Sequence, residues 1–216
     1  FIFSNSFFLF SNLSFSFSLM SKTISFISIK GGVGKTTISS SIASELVNVY
    51  KKKVLVIDAN FSSPNVALHL GNVDVKNSIR DVLNQKVKTS AAIYENNLGY
   101  HVLPSSLDSV GNNNFTQLKT KVQQLKKDYD VILMDSSPSL NNELLATMIS
   151  SDELYVMSTP DLPTLSTTLK AAKSTAAAQT PLSALVLAVP INLNKIPPIK
   201  IAPITTIKII TIKLIS

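Results

Sequence analysis

Apolar positions follow two rhythms along the chain. The runs Thr23-Ile24-Ser25-Phe26-Ile27, Lys53-Val54-Leu55-Val56-Ile57-Asp58 and Tyr129-Asp130-Val131-Ile132-Leu133-Met134-Asp135 are nearly continuous in apolar character. They read as strands buried on both faces. Between them apolar residues recur at helical spacing. Ile38, Ile42, Leu46 and Val49 mark a helix over 38–50, and Phe115, Leu118, Val122 and Leu125 mark an amphipathic helix over 115–127. A short helix is expected from Asn77, as its cap, to Leu83, with Ile79, Val82 and Leu83 inward. Further strands are expected at 100–104, 153–157 and 185–189, and further helices over 141–150 and about 164–178. This alternation predicts an α/β fold, doubly wound around a mostly parallel sheet.

The chemistry concentrates in the loop between the first strand and the first helix. It reads Ser28-Ile29-Lys30-Gly31-Gly32-Val33-Gly34-Lys35-Thr36-Thr37. A glycine-rich loop in that position aims backbone N–H groups at a phosphate, on the positive end of the helix dipole. Lys35 would reach the β/γ-phosphates, and the Thr36 hydroxyl would complete a Mg²⁺ shell. Ligands of an open parallel sheet bind beyond the carboxyl ends of its strands, so Asp58 should face the phosphates. Asp135, ending a strand about a hundred residues after a phosphate-binding loop, has the place of a carboxylate that holds Mg²⁺, often through water. The histidines, His69 and His101, have no second His or Cys at metal spacing and are read as structural.

Lys30-Gly31-Gly32-Val33-Gly34-Lys35-Thr36 resembles the deviant Walker A of the MinD/ParA family of P-loop ATPases, whose mark is a second lysine at the loop's start. The resemblance extends over roughly residues 20–189. It implies a P-loop NTPase that binds ATP with Mg²⁺, dimerises on ATP and hydrolyses it. Lys30 would reach across the dimer to the partner's phosphates. Lys30 and Gly31 through Thr37 would hold the nucleotide, with Gly32 and Gly34 allowing close backbone approach and Thr37 at the α-phosphate. Thr36, Asp58 and Asp135 would serve the metal, and Lys30, Lys35, Asp58 and Asn60 the reaction. The run from Asp58 to Gly71 looks like a first switch segment of the MinD-like branch, and Ser136-Ser137-Pro138-Ser139 like the second. Residues 91–94 and 100–104 resemble the family's next helix and strand. Two departures stand out. Many members have Asp where Asn60 stands, which predicts slow hydrolysis. Ala188 stands where many have an adenine-contacting Asn.

Composition narrows the branch. The chain has no cysteine, which excludes disulfides, thiolate zinc and the superfamily's iron–sulfur proteins. Of the net charge of +7, four units come from Lys195, Lys200, Lys208 and Lys213. Residues 20–189 hold sixteen basic and thirteen acidic residues, a balance of +3 that does not indicate a strongly basic nucleic-acid surface. The first nineteen residues carry seven of the ten Phe and no charge. They suit neither a secretory signal nor a span, and are expected to be a non-native upstream segment ahead of Met20. From Pro190 the chain turns rich in Ile, Pro, Lys and Thr. Residues 190–216 are therefore read as a low-complexity tail outside the family pattern, with the C-terminal part of the family fold missing.

The expected protein is thus a MinD-like ATPase, a homodimerising switch for spatial positioning in cell division or at a membrane surface. Its expected location is cytoplasmic, with peripheral association at the inner face of the cell membrane and a protein activator as further options. The alternatives are a ParA-type partition ATPase that binds DNA nonspecifically, and a nucleotide-binding fragment that does not hydrolyse.

Overall fold

The computed structural model describes residues 21–69, 75–106, 114–157, 182–188 and 206–211. Strand β1 (Lys22–Ile27) leads through the glycine loop into α1 (Lys35–Asn48) and then β2 (Val54–Ala59). One helical turn, α2 (Val66–His69), and a short helix, α3 (Ile79–Leu83), precede β3 (Tyr94–Glu95) and β4 (His101–Leu103). Helix α4 (Leu118–Leu125), β5 (Val131–Ser136), α5 (Asn142–Ile149) and β6 (Glu153–Val156) follow. Strands β7 (Leu182–Ala188) and β8 (Thr206–Thr211) complete the described chain.

The strands form one eight-stranded sheet in the order β3-β4-β2-β5-β1-β6-β7-β8. All pairs are parallel except β3 with β4. The residue-by-residue alternation of a strand sorts its side chains onto two faces, and both faces are covered here. Leu55, Ile57, Ile132 and Met134 pack with Leu118 and Val122 of α4 and Ala146 of α5. Their neighbours Val54, Val56, Val131 and Leu133 pack with Ala43 and Leu46 of α1. This two-sided burial is why β2 and β5 read as unbroken apolar runs, each large side chain contributing about 1.5–3 kcal/mol. It makes the fold doubly wound α/β, as expected. After β1 the chain builds the sheet on one side, and with β6 it crosses to the other. The carboxyl ends of β1, β2 and β5 therefore meet at the switch point where open sheets bind ligands.

Several local expectations change. The first helix runs from Lys35 to Asn48, so Val49 lies past its end and is exposed rather than inward. Ser39 and Ala43 are fully buried, and these small residues give α1 its close approach to the sheet. Ser78, not Asn77, caps α3, because its N–H and hydroxyl both donate to Asp81 while the Asn77 amide donates to the Ala91 carbonyl. Residues 89–92 form a 3-10 turn and Tyr94 enters the antiparallel edge strand, where the resemblance suggested a helix. The helix over 115–127 is a 3-10 turn followed by α4, with Phe115 half-buried against Phe61 at 5.3 Å between ring centroids. Strand β8 lies within the stretch read as a tail and pairs with β7 from Ser183↔Thr206 to Ala188↔Thr211. The expected helix over 164–178 and the segment 1–19 lie outside the described residues.

Candidate functional site

The loop after β1 turns on two glycines. Gly32 has φ +71° and Gly34 φ +87°, left-handed conformations that strain any residue with a side chain. A Cβ added at either would meet nothing within 4 Å, so the loop keeps open space on its outer side. Ile29 stands where the general G-x-x-x-x-G-K-[ST] pattern has its leading glycine. It has no positive φ, so the local backbone does not demand glycine there. Val33 points inward and packs against the α1 side of the core.

A cavity of about 710 Å³ opens over this loop. One wall is Gly31, Gly32, Gly34, Lys35, Thr36 and Thr37. Asn60, Ser63 and Asn65 form a second wall, and Asp135, Ser136 and Pro138 a third. Lys35 begins α1 and is only 7% exposed. Burial pulls its pKa below the ordinary lysine value, and the Asp135 carboxylate pushes it back up. The Thr36 hydroxyl donates to Asp135 Oδ2 at 2.5 Å, so the two expected metal-shell residues are in direct contact. Lys30 is exposed at the start of the loop and does not line the cavity, its N–H donating to Ser28 Oγ at 3.1 Å.

Asp58 sits differently from the sequence expectation. It is fully buried beneath the cavity and accepts the backbone N–H groups of Asn60, Asn65 and Val66, each at 3.1 Å. Asp58 thereby shapes the loop after β2, while Asp135 is its register partner on β5. Burial and the Asp135 charge push the Asp58 pKa up to about 7, against the three N–H groups that favour the anion. Asn60 is 7% exposed. Its Nδ2 donates to the Ser63 carbonyl at 2.5 Å, and its buried Oδ1 has no hydrogen-bond partner.

A raised carboxyl pKa has a definite sign. Above pH 3.8 the unfolded chain gives up the Asp58 proton first, so Asp58 weakens folding progressively until about pH 7. Removing the neighbouring charge with Asp135→Asn should therefore raise the melting temperature of the ligand-free protein more at pH 8 than at pH 5. About 1 kcal/mol of relieved repulsion would appear as roughly 2–4 °C of difference. Thermal melts of both proteins at the two pH values check this, and an equal shift at both would show that the carboxylates do not share a field.

Sequence reasoning missed Glu143. This residue of the first turn of α5 is 5% exposed and accepts both the N–H (3.3 Å) and the hydroxyl of Ser62. His101 Nδ1 bonds the Tyr129 hydroxyl at 2.7 Å. Among the described residues no group of three or more His, Cys, Asp or Glu is placed to hold a metal. The donor set fits a cation that arrives with phosphate oxygens and water, as Mg²⁺ does with nucleotides. The glycine cradle, a buried lysine and the Thr36–Asp135 pair fit the phosphates that would accompany it.

Known proteins agree with this geometry. The family model described as an AAA domain matches residues 21–175. An uncharacterized ATP-binding protein of Methanocaldococcus jannaschii is 33% identical over 76% of this chain and 63% of its own length. The septum site-determining protein MinD of Thermotoga maritima is 29% identical over 63% of this chain and 52% of its own. The chain thus spans between about half and two thirds of these curated relatives. The structure of MinD from Pyrococcus horikoshii, solved with Mg-ADP, superposes with a TM-score of 0.74 and 29% identity, covering 83% of this chain and 75% of that one. With its family model, its relatives and its phosphate-loop geometry in accord, the chain belongs to the MinD/ParA family of P-loop ATPases.

Proposed function

We propose that this chain is a MinD-like ATPase that binds ATP with Mg²⁺, dimerises on ATP, hydrolyses it slowly to ADP and phosphate, and acts as a positioning switch. The observation that carries the reading is the glycine loop at the head of α1, with Lys35 buried at its end and Thr36 on Asp135. The MinD relatives, one of them solved with Mg-ADP, support the nucleotide and the branch. In this reading Gly32 and Gly34 let the backbone N–H groups approach the phosphates, and Lys35 neutralises them. Thr36 and Asp135 hold Mg²⁺, which when bound supplies charge neutralisation for phosphoryl transfer. Asp58 holds the loop that brings Asn60 to the cavity wall, where Asn60 helps to place the attacking water. The protein is proposed to be cytoplasmic, with peripheral attachment to the membrane when in the ATP state.

Lys30 decides the dimer. It is exposed and does not line the cavity of its own chain, the placement expected of a side chain that serves a nucleotide bound by a second copy. Lys30→Ala is expected to bind ATP within about twofold of the parent, as a contact outside the cavity is dispensable for the monomer, yet to remain monomeric. Calorimetry and light scattering with ATP test this; an unchanged ATP-dependent dimer would remove the role.

A second reading has support of its own. A ParA family protein from the virulence plasmid of Chlamydia psittaci is 32% identical over 65% of the chain. A DNA-binding partition ATPase predicts ATP-dependent sedimentation with DNA that weakens steeply with salt. A MinD-like one predicts sedimentation with anionic vesicles instead. Running both with and without ATP decides between them.

A further inference from the structure

We propose that Glu143 is a positioning residue that ties two walls of the nucleotide cavity together through Ser62 and so sets the place of Asn60. The proposal rests on the ATPase reading for its functional consequence. Its structural part stands on the contacts alone. Asn60, Ser63 and Asn65 form one wall, on the loop after β2, while Asp135 and Ser136 at the end of β5 and Pro138 just after it form another. Glu143 lies in the first turn of the helix that follows that second segment, and Ser62 lies between the cavity residues of the first. The carboxylate takes both Ser62 donors, one on each oxygen, across 81 residues of sequence.

Burial makes this tie demanding. A carboxylate that is 5% exposed is costly unless donors surround it. The first turn of α5 offers a favourable dipole, and Ser62 provides two directional donors. Moving Ser62 away would leave the carboxylate buried without them, so the loop is held where Ser62 can reach. Phe61, next in the chain and 1% exposed, belongs to the same buried core cluster as Ala146 of that helix. The backbone at 61–62 is therefore anchored to α5 by packing and by hydrogen bonds. Asn60 precedes that anchor directly, with its amide turned back to Ser63 and its Oδ1 unpartnered at the cavity wall. A change in α5 reaches Asn60 through Glu143 and Ser62.

The test uses Ser62→Ala, Ser62→Thr, Glu143→Gln and the Ser62→Ala/Glu143→Gln double variant of the full chain. Ser62 is exposed, so its variants should fold even if changes at Glu143 do not. In the ligand-free protein, hydrogen–deuterium exchange over residues 60–66 should quicken in Ser62→Ala and Glu143→Gln. It should stay at the parental rate in Ser62→Thr, which keeps the hydroxyl. Turnover should fall roughly tenfold, the scale of a small misplacement at a reacting centre, while KM for ATP stays within about twofold. The double variant should be no worse than the worse single one, since both break one contact. Unchanged exchange, or losses that simply add, would overturn the tie. If the parent hydrolyses no ATP, the ATPase reading fails by itself, and exchange in the ligand-free proteins still decides whether Glu143 holds the loop.

Discussion

Lys35→Ala is expected to abolish ATP binding measurable by calorimetry. Lys35 opens α1 beneath two left-handed glycines, so its ammonium works in the same space as the loop's N–H groups. At 7% exposure it is poorly screened, and burial already costs it part of its basicity. A phosphate relieves that cost, as the Asp135 carboxylate does in part. Truncating one partner of such a buried charged contact costs about 3 kcal/mol or more, roughly a hundredfold in affinity. The alanine variant should still fold, which circular dichroism checks, because the core clusters on both faces of the sheet do not include Lys35. Binding heat equal to the parent's would refute the site.

Asn60→Asp is expected to raise ATP turnover by about tenfold, a modest share of what a positioned base provides. Asn60 lines the cavity, with its NH₂ engaged by the Ser63 carbonyl and its Oδ1 buried without a hydrogen-bond partner. A carboxylate keeps the acceptor and adds negative charge that orients and polarises a water molecule. It also gives up the bond to Ser63 and stands near Asp58 and Asp135, so the ligand-free variant should melt lower than the parent. Mg²⁺ should recover part of that loss, since a divalent cation offsets crowded carboxylates. Single-turnover assays with saturating ATP measure the rate. A rate equal to or below the parent's would mean that Asn60 is remote from the water or already sufficient.

The strands and the phosphate loop were legible for a common physical reason. Burial on both faces writes an apolar run into β2 and β5, and a loop that must turn left-handed needs glycine at Gly32 and Gly34. Both signals are local. Glu143 was not legible, because its partner Ser62 is 81 residues away and nothing beside it marks a buried acid. The same holds for Asp58, whose place at a strand end was readable while its use by three later N–H groups was not. The cap of α3 could have been read: Ser78 stands three residues before Asp81, the capping-box spacing, whereas Asn77 does not. Strand β3, two residues long, is too short to carry a period at all.

The placement of β1 has a consequence for how the protein is made. β1 pairs with β5 and β6, Lys22 lying opposite Val131 and Ile24 opposite Glu153, and among the described strands with none nearer in the chain. At a synthesis rate of 5–20 residues per second, β1 waits roughly 5–20 s for β5 to be made. During that wait the apolar strands β1 and β2 are a hazard for edge pairing with other chains. The phosphate loop is translated early but gains its third wall only when β5 joins. Nucleotide can therefore assist the last stage of folding and not the first, and substitutions in β5 should reduce the yield of folded protein before they alter its chemistry.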